Sequence, residues 1–194
     1  MHRILCAMAL GSLLGGCASM QVMSHVPIST MSRLSSMTLA DIDPEKFRVG
    51  ARLPATLEPR PQGVKVKIDL KDGLGRARTE NFVLDAVHGP SEQTPLAAYQ
   101  RAGAQISIFR LSSADQSRLV HLMTEANGSA AATSVTISAG VDACHRLPLE
   151  SSPLPTTTFL QTNSSGYIVL VEDLDLRNVV SERDIATKIP ACQR

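Results

Sequence analysis

The side chains able to do chemistry are few and scattered. Glu172, Asp173 and Asp175 make the densest acidic run, and on a strand Asp173 and Asp175 share one face. Calcium takes roughly six to eight oxygens, so two carboxylates fall short and the run reads as a solvated strand end. Asp41 and Asp43 in "ADIDP" meet the same objection and read as cap or turn residues before Pro44. His25, His88, His121 and His145 are dispersed, and none has a partner in sequence that marks it as a general base. No Gly-x-Ser-x-Gly elbow, His-Glu-x-x-His, Walker loop or Cys-x-x-Cys occurs. Met20, Met23, Met31 and Met37 offer thioethers of the kind that hold Cu(I), but their spacing is irregular and a segment resting on lipid explains them better. No catalytic residue, metal site or cofactor is assigned.

The cysteines are more informative. Arg3 and the chain amine precede the apolar segment Ile4–Leu14, too short for a membrane span of about 20 residues and of the length of a signal peptide. It ends in Leu14-Gly15-Gly16-Cys17: an aliphatic residue, two small ones and a cysteine. This resembles the bacterial lipobox, which implies cleavage after Gly16 and lipidation of Cys17. One acyl chain holds a protein marginally, whereas a diacylglyceryl group with an amide-linked chain anchors it stably. Cys6 leaves with the signal. Ala18 and Ser19 follow Cys17 where Asp would favour retention in the inner membrane, so the lipobox resemblance implies the periplasmic face of the outer membrane, with the inner membrane as the alternative.

Cys144 and Cys192 remain, and an even remainder in an oxidising compartment predicts a disulfide. Two separate buried thiols, or a metal site with His145, are the competing readings. Loss of residues 1–16 leaves 178 of 194 residues, enough for one domain with a core. It removes Arg3 and no acid, so 18 Lys and Arg face 18 Asp and Glu. A net charge near zero and an aromatic content of 3% argue against nucleic-acid binding.

The elements that must position these residues follow from pattern. Residues 17–40 are rich in Ser, Thr and Met without sustained periodicity, and read as the lipidated cysteine and a flexible tether before a single β-rich periplasmic domain over 41–194. From Phe47 alternation sets in: Phe47–Leu53, Val64–Leu70 and Thr79–Val87 read as strands, the last two joined by an Asp72-Gly73 hairpin turn. Pro54, Pro59, Pro61, Pro90 and Pro95 are placed between strands. Gln105–Leu111 is a further strand and leads into a helix with a capping box of Ser113 and Gln116 and an apolar stripe of Leu119, Leu122, Met123 and Ala126. Ser134–Val141, Thr156–Thr162 and Gly166–Val171 complete the strands. "YIVLV" is apolar on both faces and predicts a central strand; Ser181 predicts a short C-terminal helix. The fold class expected is mainly β, an antiparallel sandwich or strongly curved sheet of about seven strands with one packed helix, a two-layer α+β arrangement being the alternative.

"MTLADIDPEKFRVGARLPATLEPRPQGVKVKI", "ISIFRLSSADQSRL", "DACHRLPLESSPLPTTTFLQT" and "GYIVLVEDLDL" together resemble small uncharacterised lipoproteins of proteobacteria, which implies the anchor and compartment and carries no activity. The function expected is a membrane-anchored, non-enzymatic module that binds or scaffolds another envelope component. A small-molecule or lipid carrier is the second reading, a hydrolase with dispersed residues the third. Nine basic residues against three acidic ones lie between Lys46 and Arg78. Parity places Arg48, Arg52, Lys65 and Lys67 on outward faces, a candidate surface for an envelope protein or an anionic envelope component.

Overall fold

The computed structural model describes residues 24–35, 37–126, 132–149 and 151–193. Cys17 and the signal segment lie outside them. Seven strands, β1 (Arg48–Pro54), β2 (Leu57–Asp72), β3 (Ala77–Val87), β4 (Ala104–Leu111), β5 (Ala132–His145), β6 (Pro155–Gln161) and β7 (Ile168–Asp175), form an antiparallel sheet in the order β5-β2-β3-β4-β1-β6-β7. The sheet is strongly curled, a half-barrel, so the curved sheet and not the sandwich is the form this β-rich chain takes.

Alternation builds the main core. Val64, Val66, Ile68 and Leu70 of β2, Phe82 and Leu84 of β3, and Phe109 and Leu111 of β4 face one side. Helix α3 (Ser113–Ala126) lays Leu119 and Leu122 on them. In the middle of the sheet the other side is buried too. Ile106 and Ile108 of β4 and Phe159 of β6 pack on Leu96, which belongs to the 3-10 turn Thr94–Tyr99 that continues helix α2 (Pro90–Gln93). Gly50 of β1 faces this second core, where a Cβ would stand 3.1 Å from Leu96 and 3.2 Å from Phe159; the missing side chain lets the covering turn close down. A third cluster closes one end, where Ile185 of α5 (Glu182–Lys188) and Ile189 just beyond it bury against Ala51, Leu53, Leu57 and Ala143. Between β7 and α5 runs the single turn α4 (Leu176–Val179), capped by Asp175.

Several expectations are corrected. Residues 17–40 are not a tether throughout: Ile28–Ser35 form helix α1, Thr30 donates to the Val169 carbonyl, and Leu34 and Leu39 join the main core. At eight residues the helix is shorter than the window of about 11–18 residues over which helical periodicity is read. β7 is an edge strand, not a central one. Its two apolar faces arise because Leu170 packs on the main core while Val169 packs on the second. Helix α3 is capped one residue early, since the Ser112 hydroxyl accepts the Asp115 N–H at 3.1 Å and the Gln116 amide instead donates to the Leu111 carbonyl. Pro59 and Pro61 lie inside β2, at an irregularity in its pairing with β5 between Pro59 and Val64. The turn at Asp72 and the Ser181 cap form as expected; a turn at Asn163, where its side chain accepts the Ser165 N–H at 2.8 Å, joins β6 to β7.

Candidate functional site

The sheet parts at β3. Lys65–Lys71 of β2 pair with Val83–Ala77, whereas Leu84–Val87 pair with β4 alone. The first half of β2 has left β3 by then and stays with β5. The cause is local: proline lacks the N–H a ladder requires, Gln62 has a φ of 56°, and Gly63 is pressed so closely that a Cβ would stand 2.8 Å from the Asp142 carbonyl. The Leu57 carbonyl, facing away from β5, is satisfied by the Gln105 side-chain amide at 2.6 Å.

The result is an open wedge of about 430 Å³ between Glu58–Gln62, Leu84–His88 and Gln105–Phe109, with Gln93 and Arg146 at its rim. Leu84, Ile106, Ile108 and Phe109 are buried and belong to the two cores. The side chains left exposed in the wedge are mainly polar: Arg60, Gln62, Asp85, His88, Gln93 and Arg146. Arg146 ion-pairs with Glu58. Along Leu84–Val87 no strand among the described residues pairs on the wedge side.

The residues singled out from sequence are placed as follows. Cys144 and Cys192 are joined by a disulfide. His145 N–H donates to the Pro190 carbonyl and Cys192 N–H to the His145 carbonyl, so the bond ties the C-terminal segment to the end of β5. The metal alternative fails on chemistry. The only group of three potential donors among the described residues is Glu58, Cys144 and Cys192; its two sulfurs are bonded to each other and its carboxylate holds Arg146. The His145 ring turns to the Leu147 carbonyl.

Arg48, Arg52, Lys65 and Lys67 do not form one surface, because β3 and β4 separate β1 from β2. Arg52 is 3% exposed and donates to the Tyr99 carbonyl, the Thr157 hydroxyl and Asp173. Arg48 binds Glu92 at 3.1 Å. Both point to the face opposite Val49 and Ala51, as parity requires, but α2 and its 3-10 turn cover that face. Lys65 and Lys67 do project outward, each beside an acid: Asp142 at 3.2 Å and Asp69 at 2.8 Å. The Lys67 ammonium, with the Thr79 hydroxyl, holds the Asp69 carboxyl below its usual value. The other acidic candidates are structural. Asp173 partners Arg52; Asp175 accepts the N–H groups of Leu154 and Arg177; Asp41 takes the Thr38 N–H and hydroxyl.

The chain matches no family model, no curated protein and no solved structure.

Proposed function

We propose that this chain is an envelope lipoprotein, anchored through Cys17 at the periplasmic face of the outer membrane, whose β-rich body binds an extended segment of another envelope component. The observation that carries the binding role is the wedge at β3. There the backbone of Leu84–Val87 faces an opening that the prolines of β2 keep β2 from filling. An incoming extended chain supplies the missing ladder partner, and alternate side chains meet the polar wall. A carrier for an apolar molecule is less well served, since pockets of that kind are lined mainly by apolar side chains and the large apolar residues here, Leu84, Ile106, Ile108 and Phe109, are turned into the cores. No helix among the described residues is long and apolar enough to cross a membrane, and anchoring is assigned to lipid.

A photoreactive amino acid placed at Gln62 or Asp85 in intact cells should give one discrete adduct with an envelope component, and the same group at Lys67 should not. Equal or absent adducts at all three positions would remove the wedge as the binding site. Cys17→Ser is expected to abolish acylation and release the protein from membranes after a carbonate wash; retention would assign the anchor to something else.

A further inference from the structure

We infer that the outward face of α1 rests on the bilayer, so that the protein lies with its β7 edge against lipid and its wedge turned to the periplasm. This rests on the lipid anchor proposed above. His25 is fixed to β7, its ring on the Glu172 carbonyl at 2.8 Å and its own carbonyl accepting the Glu172 N–H at 2.8 Å. Only eight residue steps separate it from Cys17, which at full extension span at most about 28 Å. Wherever the acyl chains enter the membrane, His25, just before α1, lies within that reach of the surface. Ile28 and Met31, three apart and therefore neighbours on one helix face, are 83% and 39% exposed. Of the large apolar side chains exposed among the described residues, these two alone share an element at helical spacing; Val83 and Val120 stand on different elements, and Leu74 and Leu147 in the turns that follow β2 and β5. An apolar face with serines around it and one basic residue, Arg33, in the last turn suits the interfacial layer, where such helices sink about 5–10 Å. The wedge lies at β3, four strands along the sheet from β7, and so stays open.

The chain has no tryptophan, so single-site fluorescence tests the placement. The full-length acylated protein carrying Ile28→Trp or Met31→Trp is reconstituted in phosphatidylethanolamine and phosphatidylglycerol vesicles containing brominated acyl chains, with Leu74→Trp and Leu147→Trp as controls. Emission of the two α1 variants should shift to the blue and be quenched at least twofold by the bromolipid, while both controls remain unquenched. Adding Ile28→Glu to the Met31→Trp chain should remove the quenching without releasing the protein. If mass spectrometry finds Cys17 acylated but the α1 variants are not quenched, the face is not on lipid and the anchor reading stands. If Cys17 carries no lipid, both fall. Blue-shifted emission without quenching, with a doubled mass in detergent, would mean that a second copy covers the face, and that too overturns the inference.

Discussion

At Arg52 a buried cation meets an exposed anion: the guanidinium is 3% accessible and its Asp173 partner 57%. The two halves of the pair are therefore not equivalent under mutation. Arg52→Met leaves Asp173 free to hydrate, and the loss should be limited to the hydrogen bonds to Tyr99 and Thr157, about 1–2 kcal/mol. Asp173→Asn strands a positive charge among neutral acceptors and should cost more, about 2–3 kcal/mol, less than a fully buried pair because water screens the Asp173 side. Urea unfolding of both variants measures this; a larger loss for Arg52→Met would show that packing of the arginine stem dominates. Asp72 makes a second residue-scale case. The Arg76 side chain first, and then the N–H groups of Arg76 and Leu74, hold its carboxyl below the usual 3.8. A folded value below the unfolded one adds stability above pH 3.8 that disappears as pH falls through the folded value. The β2–β3 turn should thus be indifferent to pH between about 5 and 8 and loosen in stronger acid. Amide shifts of Gly73, Leu74 and Gly75 report it, and Asp72→Asn should abolish the acid response.

Among the elements, what could be read was set by periodicity. Val64–Leu70 alternates cleanly and both ends of its hairpin were legible. β7 was legible as a strand but not as an edge, because alternation on two faces reports burial and not neighbours, and here two different cores do the burying. The same distinction governs the basic strands: parity assigned Arg48 and Arg52 to the correct face, yet it carries no information on whether that face is covered, and the 3-10 turn over it has only Leu96 to announce it. The wedge had a signal that was read otherwise. Pro59, Pro61 and Gly63 directly before an alternating run mark a strand that begins irregularly as well as they mark a loop. The disulfide was legible by counting, and its consequence lies with an element. Closing a loop of residues 48 apart contributes about 4 kcal/mol in the chain-entropy account. With α5 docked through little more than Ile185 and Ile189, reduction should free Leu176–Gln193 first. Hydrogen exchange of the protein in dithiothreitol should show that segment losing protection while β2 and β4 keep theirs; simultaneous loss throughout would mean that the end cluster is part of the main cooperative unit.

For the molecule as a whole, a half-barrel has two edges, and this one treats them differently. β7 is covered: α1 lies along it, with Thr30 on the Val169 carbonyl and reciprocal bonds between His25 and Glu172. β5 pairs with β2 on one side, and on the other, among the described residues, the C-terminal segment engages only its end, through the His145–Ala191 bridge and the Cys144–Cys192 disulfide. From Ala132 to Val141 it contains no charge and no proline, the two devices that usually keep an edge from recruiting another strand. Val135, Ile137, Ala139 and Val141 pack on the main core, and Thr136, Ser138 and Gly140 face out. This edge should template association when the protein is concentrated or warmed. Thr136 stands opposite Asp69, so a lysine there meets an acid across the strands and places a charge on the open edge. Thr136→Lys is expected to raise the onset temperature of aggregation by several degrees and to leave the free energy of unfolding in urea within about 0.5 kcal/mol of the parent. Light scattering against temperature, paired with urea unfolding, separates the two effects. An unchanged onset would show that association proceeds through another surface, with Ile28 and Met31 the next to substitute.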